Sequence, residues 1–550
     1  MRQESATRAL PDLLVAASSG ILLGLAFPGT GIRSLAWIAL VPLFLVLRRT
    51  PGGWQAFFLC GAASCGFYTV VLWWSMSVEG LNLFKLALFN LYVSLYLGAF
   101  GLLSHHLRRK WPRGVLFAMP SLWVAQEYLK THVGFLSFPF GLLGYSQDSV
   151  PAIAGIAAVT GVYGVSFLIV FCNVILSEAI AATFAGKKRT RSATAVSVPR
   201  QGAFPRVASL GVLILFFGVG VYAKVGVPKP GTVPTMKISL IQGNLFSNEK
   251  YDRNFEFLKK IYARYDSLSK LAAADKPDLI AWPSSSVPGR IPYDFLLVRM
   301  LSDLAQSTGA YLLVGTSGFD KFSPAMQRTR RAANSAFLFS PEGKILGQYD
   351  KARLLPFDEY LPLRDRLPWP SWIVDRKMRD QLPGTELTVF TAGGVRFGVQ
   401  ICWENMFPEQ FRALAAKGID FMSGMTNESF VHAPAAHAQM LQFYVFRAIE
   451  NGIPIIRTAP TGVTCLIGSD GRISARVRDA DGRETNVPGV LTTEVPLSRK
   501  RTVYTRIGDA FALACGLHIL GLVLLPVRRD LTCPQERVSG VSTIHCGRAP

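Results

Sequence analysis

The residues best suited to covalent chemistry gather around Cys402. Val395-Arg-Phe-Gly-Val-Gln-Ile-Cys-Trp-Glu-Asn405 reads as an apolar strand that runs into a cysteine, with a carboxylate two residues later and a helix start near Pro408. A strand-to-helix turn exposes one side chain at a sheet edge and aims backbone N–H groups toward it. A thiolate there is a good nucleophile when a cation lowers its pKa. Taken alone, the segment favours a packed core cysteine over a nucleophile.

Other strand exits offer partners. Gln348-Tyr-Asp-Lys-Ala-Arg-Leu-Leu-Pro-Phe-Asp-Glu-Tyr-Leu-Pro362 leaves a strand at Lys351 and continues into a Pro-punctuated loop carrying Glu359. Phe421-Met-Ser-Gly-Met-Thr-Asn-Glu-Ser-Phe430 is a second exit, followed by His437 and by Arg447-Ala-Ile-Glu-Asn-Gly452. Arg447 and Glu450, three apart, share a helix face. Of eight cysteines, Cys60, Cys65, Cys172 and Cys515 lie in apolar runs, and Cys533 and Cys546 lie in the tail. Cys402 and Cys465 remain as a disulfide in an oxidising compartment or as two packed thiols. No Cys/His spacing resembles a metal site, so no metal or other cofactor is expected.

The elements that must position these residues read as an α/β domain over 231–505. Strands are expected at Met236–Gln242, Leu279–Trp282, Tyr311–Gly315, Ser335–Phe339, Lys344–Tyr349, Val395–Cys402, Phe421–Met425, Ile453–Ala459, Thr464–Ile467 and Val490–Glu494. Helices are expected at Arg253–Ala273, Phe295–Gln306, Pro408–Lys417 and Ala433–Asn451. Pro341-Glu-Gly343 and Ser469-Asp-Gly471 sit between strands as hairpin turns. Alternation of this kind makes a layered sheet core.

The rest of the chain is of another character. Half of the 550 residues are hydrophobic, 17% are charged and the mean hydropathy is +0.29, against about a quarter charged in soluble domains. Disorder and a small disulfide scaffold are excluded. Apolar runs fall at Leu13–Phe27, Leu35–Leu47, Trp54–Met76, Phe84–Leu103, Val115–Val124, Ala152–Ile180, Val207–Val225 and Ala510–Val527. Several reach the roughly 20 residues that span a bilayer; the second and fifth are short enough to be buried helices or hairpins. About eight spans are expected.

Charge gives the orientation. Arg48 and Arg49, then Arg108 to Arg113, then Lys187 to Arg206, then Arg528 and Arg529 fall in alternate loops, while the intervening loops hold little more than Arg33, Lys85 and Lys130. Basic loops stay cytoplasmic, so both termini are expected inside and 231–505 outside, in a bacterial periplasm. Most of the net charge of +22 belongs to this pattern: 231–500 holds 33 basic and 27 acidic residues, leaving 25 and 9 for the remainder. A nucleic-acid partner is therefore not expected. A transporter is disfavoured by the lack of charged residues within the runs. The division is 1–230 for a membrane domain of about seven helices, 231–505 for the α/β domain, and 506–550 for a last span and tail. Residues 186–206 read as a basic cytoplasmic linker.

With Thr461-Gly462 and Gly243-Asn244, the segments around Cys402, Lys351 and Glu359 resemble the carbon–nitrogen hydrolase (nitrilase) domain. Eight spans around such a domain resemble the bacterial apolipoprotein N-acyltransferases. Leu25-Ala-Phe-Pro28, Ala36-Trp-Ile-Ala-Leu-Val-Pro-Leu-Phe44 and Phe138-Pro-Phe-Gly-Leu-Leu-Gly-Tyr-Ser-Gln147 extend the likeness over nearly the whole chain. The resemblance implies an αββα nitrilase-like sandwich outside a polytopic helical membrane domain in the inner membrane. It implies Cys402 as nucleophile, Lys351 as cationic partner, and Glu359 and Glu404 as supporting acids. It also implies a ping-pong transfer from a membrane phospholipid, through a thioester, to the S-diacylglyceryl cysteine of an apolipoprotein.

One position departs. The family's triad glutamate follows Trp-Pro at the end of the second strand, where this chain reads Trp282-Pro-Ser-Ser-Ser-Val-Pro288 and places Ser284. A hydroxyl cannot accept a proton at neutral pH as a carboxylate does, and general-base help is worth about 10²–10⁴ in rate. Tyr251 and Trp403 also differ from the family's usual Trp and Tyr but keep an aromatic ring. Several accounts of Ser284 follow: Glu404 or Glu359 serves as base, or Lys351 alone holds a thiolate in a slow enzyme. The chain is otherwise a silent relative that binds lipid or lipoprotein, or it carries an altered codon. A membrane-tethered amidase of the nitrilase type is the competing enzyme.

Overall fold

The computed structural model describes residues 2–78, 81–189, 210–220, 233–245, 255–318, 333–372, 374 and 380–526. Tyr251, most of the 186–206 linker and the tail after Arg529 lie outside the described residues. The amino-terminal part is helical: α1 (Arg2–Gly24), α2 (Val41–Arg49), α3 (Gly53–Val71), α4 (Leu83–Lys110), α5 (Val115–Thr131), the short α6 (Pro151–Ala154) and α7 (Ala157–Thr160), and α8 (Val162–Arg189). A further apolar helix, α9, covers Leu210–Gly220. Among the described residues, three helices are long and apolar enough to cross a bilayer: Gly53–Val71, Leu83–Lys110 and Val162–Phe184.

Three expected runs take a different form. The run from Leu35 is a 3-10 turn, Arg33–Trp37, followed by the nine-residue α2. At 1.5 Å per residue α2 is about 13 Å long, too short to span; Val41, Leu43, Phe44, Val46 and Leu47 are buried within the bundle. The run from Ala152 breaks at Gly161, which has φ +66° and packs against Tyr504, where a Cβ would lie 2.7 Å from the ring.

The fifth run extends past Val124 to Thr131, and Lys130 is not a loop residue. It is buried in the last turn of α5, with Nζ donating to Tyr68 Oη at 2.5 Å and to the Phe140 carbonyl at 2.8 Å. Glu127, equally buried, accepts from Trp123 Nε1 and from the Leu143 N–H. The bundle therefore does hold buried charge, tolerated because each group has internal partners.

The α/β part contains α10 (Phe255–Ala273), α11 (Phe295–Thr308), α12 (Pro408–Ala416), α13 (Pro434–Asn451) and thirteen strands. One sheet has the order β13 (Gly489–Pro496), β1 (Thr235–Gln242), β2 (Leu279–Ala281), β4 (Tyr311–Gly318), β5 (Ala333–Phe339), β6 (Ile345–Asp350), with β3 (Val287–Ile291) beside β4; the other runs β12 (Ile473–Arg476), β11 (Cys465–Ile467), β10 (Ile455–Thr458), β9 (Phe421–Met425), β8 (Val395–Ile401), β7 (Val389–Ala392). Their inner faces meet in a core that includes Leu240, Leu313, Leu338, Phe397, Val399 and Ile401. Outside the first sheet, α10 and α11 pack Ile261, Tyr265 and Leu301 against Trp282 and Val314. The result is the expected αββα sandwich. Strands β3 (Val287–Ile291), β7 (Val389–Ala392) and β12 (Ile473–Arg476) are additional to the sequence reading.

No gap separates this sandwich from the helical bundle. One apolar cluster runs from Phe27, Phe44 and Phe171 through Phe140 and Tyr145 to Phe443, Phe411, Met422 and Ile455. Gln439 of α13 accepts from Trp74 Nε1 at 3.0 Å and donates to the carbonyls of Pro28 and Val71. Fully buried Arg447 pairs with Glu450 (Nε–Oε2 2.7 Å), whose Oε1 in turn accepts the first N–H of α8, from Val162, at 3.1 Å. After the sandwich, α14 (Val503–Ile507) and α15 (Ala510–Leu524) return the chain to the bundle against α5.

Removing one partner of a buried ion pair leaves an uncompensated charge. Arg447→Met should therefore cost about 3–5 kcal/mol, read as a lower unfolding temperature of the purified chain in detergent. The double change Arg447→Met with Glu450→Leu should recover most of that loss.

Candidate active site

Cys402 follows β8 (Val395–Ile401) in the left-handed region, at φ +52°. A Cβ-bearing residue is strained there, and the chain reverses sharply into a 3-10 turn, Cys402–Met406, before Pro408 opens α12. What holds the turn is Glu404. Its wholly buried carboxylate accepts the Ile401 N–H at 2.8 Å, the Ala352 N–H at 2.8 Å, the Arg353 N–H at 3.1 Å and Tyr349 Oη at 2.8 and 2.9 Å. Burial pushes its pKa up, and these donors, with Lys351 nearby, oppose the shift. The group thus ties the cysteine turn to the loop that carries Lys351.

Lys351 lies just beyond β6 (Ile345–Asp350), 1% exposed. Its N–H continues the ladder to the Asn334 carbonyl at 2.8 Å, and its own carbonyl accepts the Gly384 N–H at 2.8 Å. Gly384 is required: a Cβ would sit 2.1 Å from the Asp350 carbonyl oxygen. Lys351 Nζ reaches Glu359 Oε2 at 2.7 Å, and the same oxygen accepts the Leu355 N–H at 2.8 Å. Burial works to lower the Lys351 pKa, but Glu359 and the Cys402 sulfur together leave it raised. The site ammonium stays charged.

Cys402 is set between opposing influences. Burial raises its pKa; Lys351 and the Asn427 N–H bonded to the sulfur lower it, while Glu359 raises it again, and the net direction is up. Lys351 opposes the shift but does not outweigh burial, and the balance favours the thiol form. Cys465, in β11 (Cys465–Ile467), is a free, buried thiol rather than a disulfide partner. Trp282-Pro283 at the exit of β2 leads to Ser284, also buried, whose Oγ donates to Asn334 Oδ1 at 3.3 Å. Asn334 therefore touches both Ser284 and the Lys351 backbone. Trp403, the residue after the nucleophile, packs edge-on against Phe407 at 5.2 Å.

Sequence reasoning missed the layer beneath. Glu428, next to Asn427, is buried and paired with Arg457 and with His437 Nδ1 at 2.7 Å, while Thr426 Oγ1 donates to it at 3.1 Å. Burial would raise the Glu428 pKa, yet Arg457 and His437 leave it lowered. Arg457 in the middle of an otherwise apolar strand was the available signal, since a buried guanidinium demands a carboxylate. Among the described residues, one group of metal-ligand type comes together: His132, Glu409 and Asp509, with ligand atoms within 4.8 Å of one another. These come from three distant segments, so no spacing rule finds them. His132 Nε2 already meets Glu409 Oε1 at 2.9 Å, and Arg353 approaches the other oxygen at 3.9 Å.

A thiol raised by burial and relieved by one ammonium has a clear titration signature. Iodoacetamide should label Cys402 faster as pH rises, with a midpoint above the ordinary thiol range near 8.5. Lys351→Met should move that midpoint higher still, each further unit lowering the thiolate fraction at neutral pH about tenfold. Mass spectrometry of the labelled peptide reads both.

Comparison with known proteins places the chain among relatives. Residues 19–175 match the family described as the apolipoprotein N-acyltransferase N-terminal domain, and residues 237–504 match carbon–nitrogen hydrolase. An apolipoprotein N-acyltransferase of Geobacter metallireducens is 33% identical over 94% of this chain and 96% of its own length. A Haemophilus influenzae protein of the same name is 26% identical over 94% and 96%. Among solved structures, a nitrilase-superfamily amidase from Nesterenkonia is 20% identical, covering 53% of this chain and 98% of its own, with a TM-score of 0.36. By the full-length relatedness, the chain belongs to the apolipoprotein N-acyltransferase family.

Proposed function

We propose that this chain moves an acyl chain from a membrane phospholipid, through a thioester on Cys402, to the α-amine of an S-diacylglyceryl cysteine at a lipoprotein's N-terminus. The observation that carries this reading is the arrangement of nucleophile and bundle as one packed body. The turn that begins at Cys402 runs into Met406 and Phe407, which belong to an apolar core continuous with helices able to cross a bilayer. Both substrates are lipids, and a site reached from the membrane avoids moving long acyl chains through water. The loop after Glu359 supports lateral access: exposed Leu363, Leu367 and Trp372 follow it, and the Trp372 ring meets Phe84 of α4 at 5.3 Å.

In the first half-reaction Cys402 Sγ attacks the acyl ester carbonyl, and the lysophospholipid leaves with a proton. In the second the amine attacks the thioester carbonyl, the amide forms, and the thiol is regenerated. The Lys351 ammonium and backbone N–H groups near Trp403 and Asn427 stabilise the oxyanion. The alternating loop charges support an inner-membrane protein with cytoplasmic termini and a periplasmic α/β domain over 231–505. Ser284 alone favours a non-catalytic lipid- or lipoprotein-binding relative, and nothing in the bundle suits a small-amide amidase.

The test is complementation in a bacterium depleted of its own N-acyltransferase, weighing the N-terminal lipopeptide of an abundant lipoprotein. The unmodified chain should restore the third acyl chain, and Cys402→Ala should not. Restoration by Ser284→Glu alone would identify a silenced enzyme. If neither form restores the mass despite membrane insertion, the acyltransferase reading falls.

A further inference from the structure

We propose that Glu359 is the general base of this chain, taking the Cys402 proton by way of Lys351 in place of the absent triad glutamate at Ser284. The inference rests on the acyltransferase reading above and assigns a catalytic residue within it.

Glu359 is the carboxylate hydrogen-bonded to the Lys351 ammonium, at 2.7 Å; neighbouring Asp358 senses the same charge, but no described hydrogen bond joins it to Lys351. Ser284 Oγ donates to Asn334 and has no basicity to offer. Glu404 has both oxygens filled, Oε1 by Tyr349, Ala352 and Arg353 and Oε2 by Tyr349 and Ile401. Protonating it would break the clamp that holds Cys402 beside Lys351. Glu428 is spent on Arg457, His437 and Thr426. Glu359 differs in the distribution of its bonds. Lys351 and Leu355 both meet Oε2, and no described donor meets Oε1, so one oxygen can take a proton while the other keeps the lysine in place.

A base is needed because burial favours the thiol at Cys402 more than Lys351 and the Asn427 N–H favour the thiolate. Lys351, already ammonium, cannot absorb that proton on balance; it can only pass one on. As the Sγ–carbonyl bond forms, the sulfur proton passes to Lys351 while an ammonium proton passes to Glu359, for a net transfer of one proton from sulfur to carboxylate. Collapse of the adduct breaks the acyl C–O bond, and the proton returns along the same path to the departing lysophospholipid oxygen. When the acceptor amine attacks the thioester, its surplus proton goes to Glu359 and then to the Cys402 thiolate.

The experiment uses the full chain in detergent micelles with fluorescent phosphatidylethanolamine as donor, reading single-turnover thioester formation on Cys402 by intact mass across pH. Four forms are compared: unmodified, Glu359→Gln, Ser284→Glu, and Ser284→Glu with Glu359→Gln. The proposal expects Glu359→Gln to slow acylation by about 10²–10⁴-fold and Ser284→Glu to recover most of that loss in the double variant, because a second base is then present. If Glu359 only anchors Lys351, the same slowing appears in both backgrounds and the assignment is overturned. A Glu359→Gln rate within a few-fold of the unmodified chain overturns it as well. Absence of thioester from the unmodified and Ser284→Glu forms alike sinks the acyltransferase reading beneath it. Iodoacetamide labelling of Cys402 in each form checks that the site is assembled.

Discussion

Everything at the site depends on a carboxylate that water cannot reach. Glu404 is wholly buried, and an ion in that position is tolerable only if donors replace its hydration. Three backbone N–H groups and one phenol do so, and they come from two separate strand exits. Satisfying Glu404 therefore forces the Lys351 loop and the Cys402 turn together. It also holds the left-handed backbone at Cys402, whose strain would otherwise relax into the extended strand preceding it. The cost of burying one charge is converted into the placement of two reactive groups.

The second constraint is the joint between sandwich and bundle. Soluble α/β sandwiches present their outer helices to water, whereas here α13 is covered by the helical domain, with aromatic contacts such as Phe140 to Phe443 at 5.2 Å and Tyr145 to Phe443 at 4.8 Å. Polar groups within that joint are paired across it rather than solvated. Glu450, paired with Arg447, caps α8, Gln439 bonds the carbonyls of Pro28 and Val71, and His132 meets Glu409. Such pairs contribute little net stability against apolar substitutes, but they admit one orientation of the two parts and penalise others.

Much of this was legible in the sequence for physical reasons. Buried parallel strands such as Phe421–Met425 announce themselves as apolar runs, and helices such as Pro408–Ala416 begin at a proline. Cys402 and Lys351 stood out because each follows a strand, and Glu359 because it sits in the Pro-punctuated loop that Lys351 opens. The edge strands Val389–Ala392 and Ile473–Arg476 escaped because half-exposed positions dilute the alternation. Lys130 was misplaced in a loop because its hydrogen-bond acceptors, Tyr68 and the Phe140 carbonyl, belong to other segments. Glu404 was recognised as an acid of the site but not as its clamp, since a carboxylate's donors cannot be read from spacing alone.

The covered face of α13 has a consequence for anyone wishing to isolate the chemistry. Fifteen of its eighteen residues are buried, among them Phe443, Tyr444 and Phe446. A fragment beginning near residue 231 and ending before α14 would carry every group named at the site yet leave that face bare to solvent, together with the unpaired ends of Gln439 and Glu450. Such a fragment would be an aggregating half-molecule rather than a minimal catalyst. The membrane helices are as much the other half of the hydrophobic core as they are an anchor.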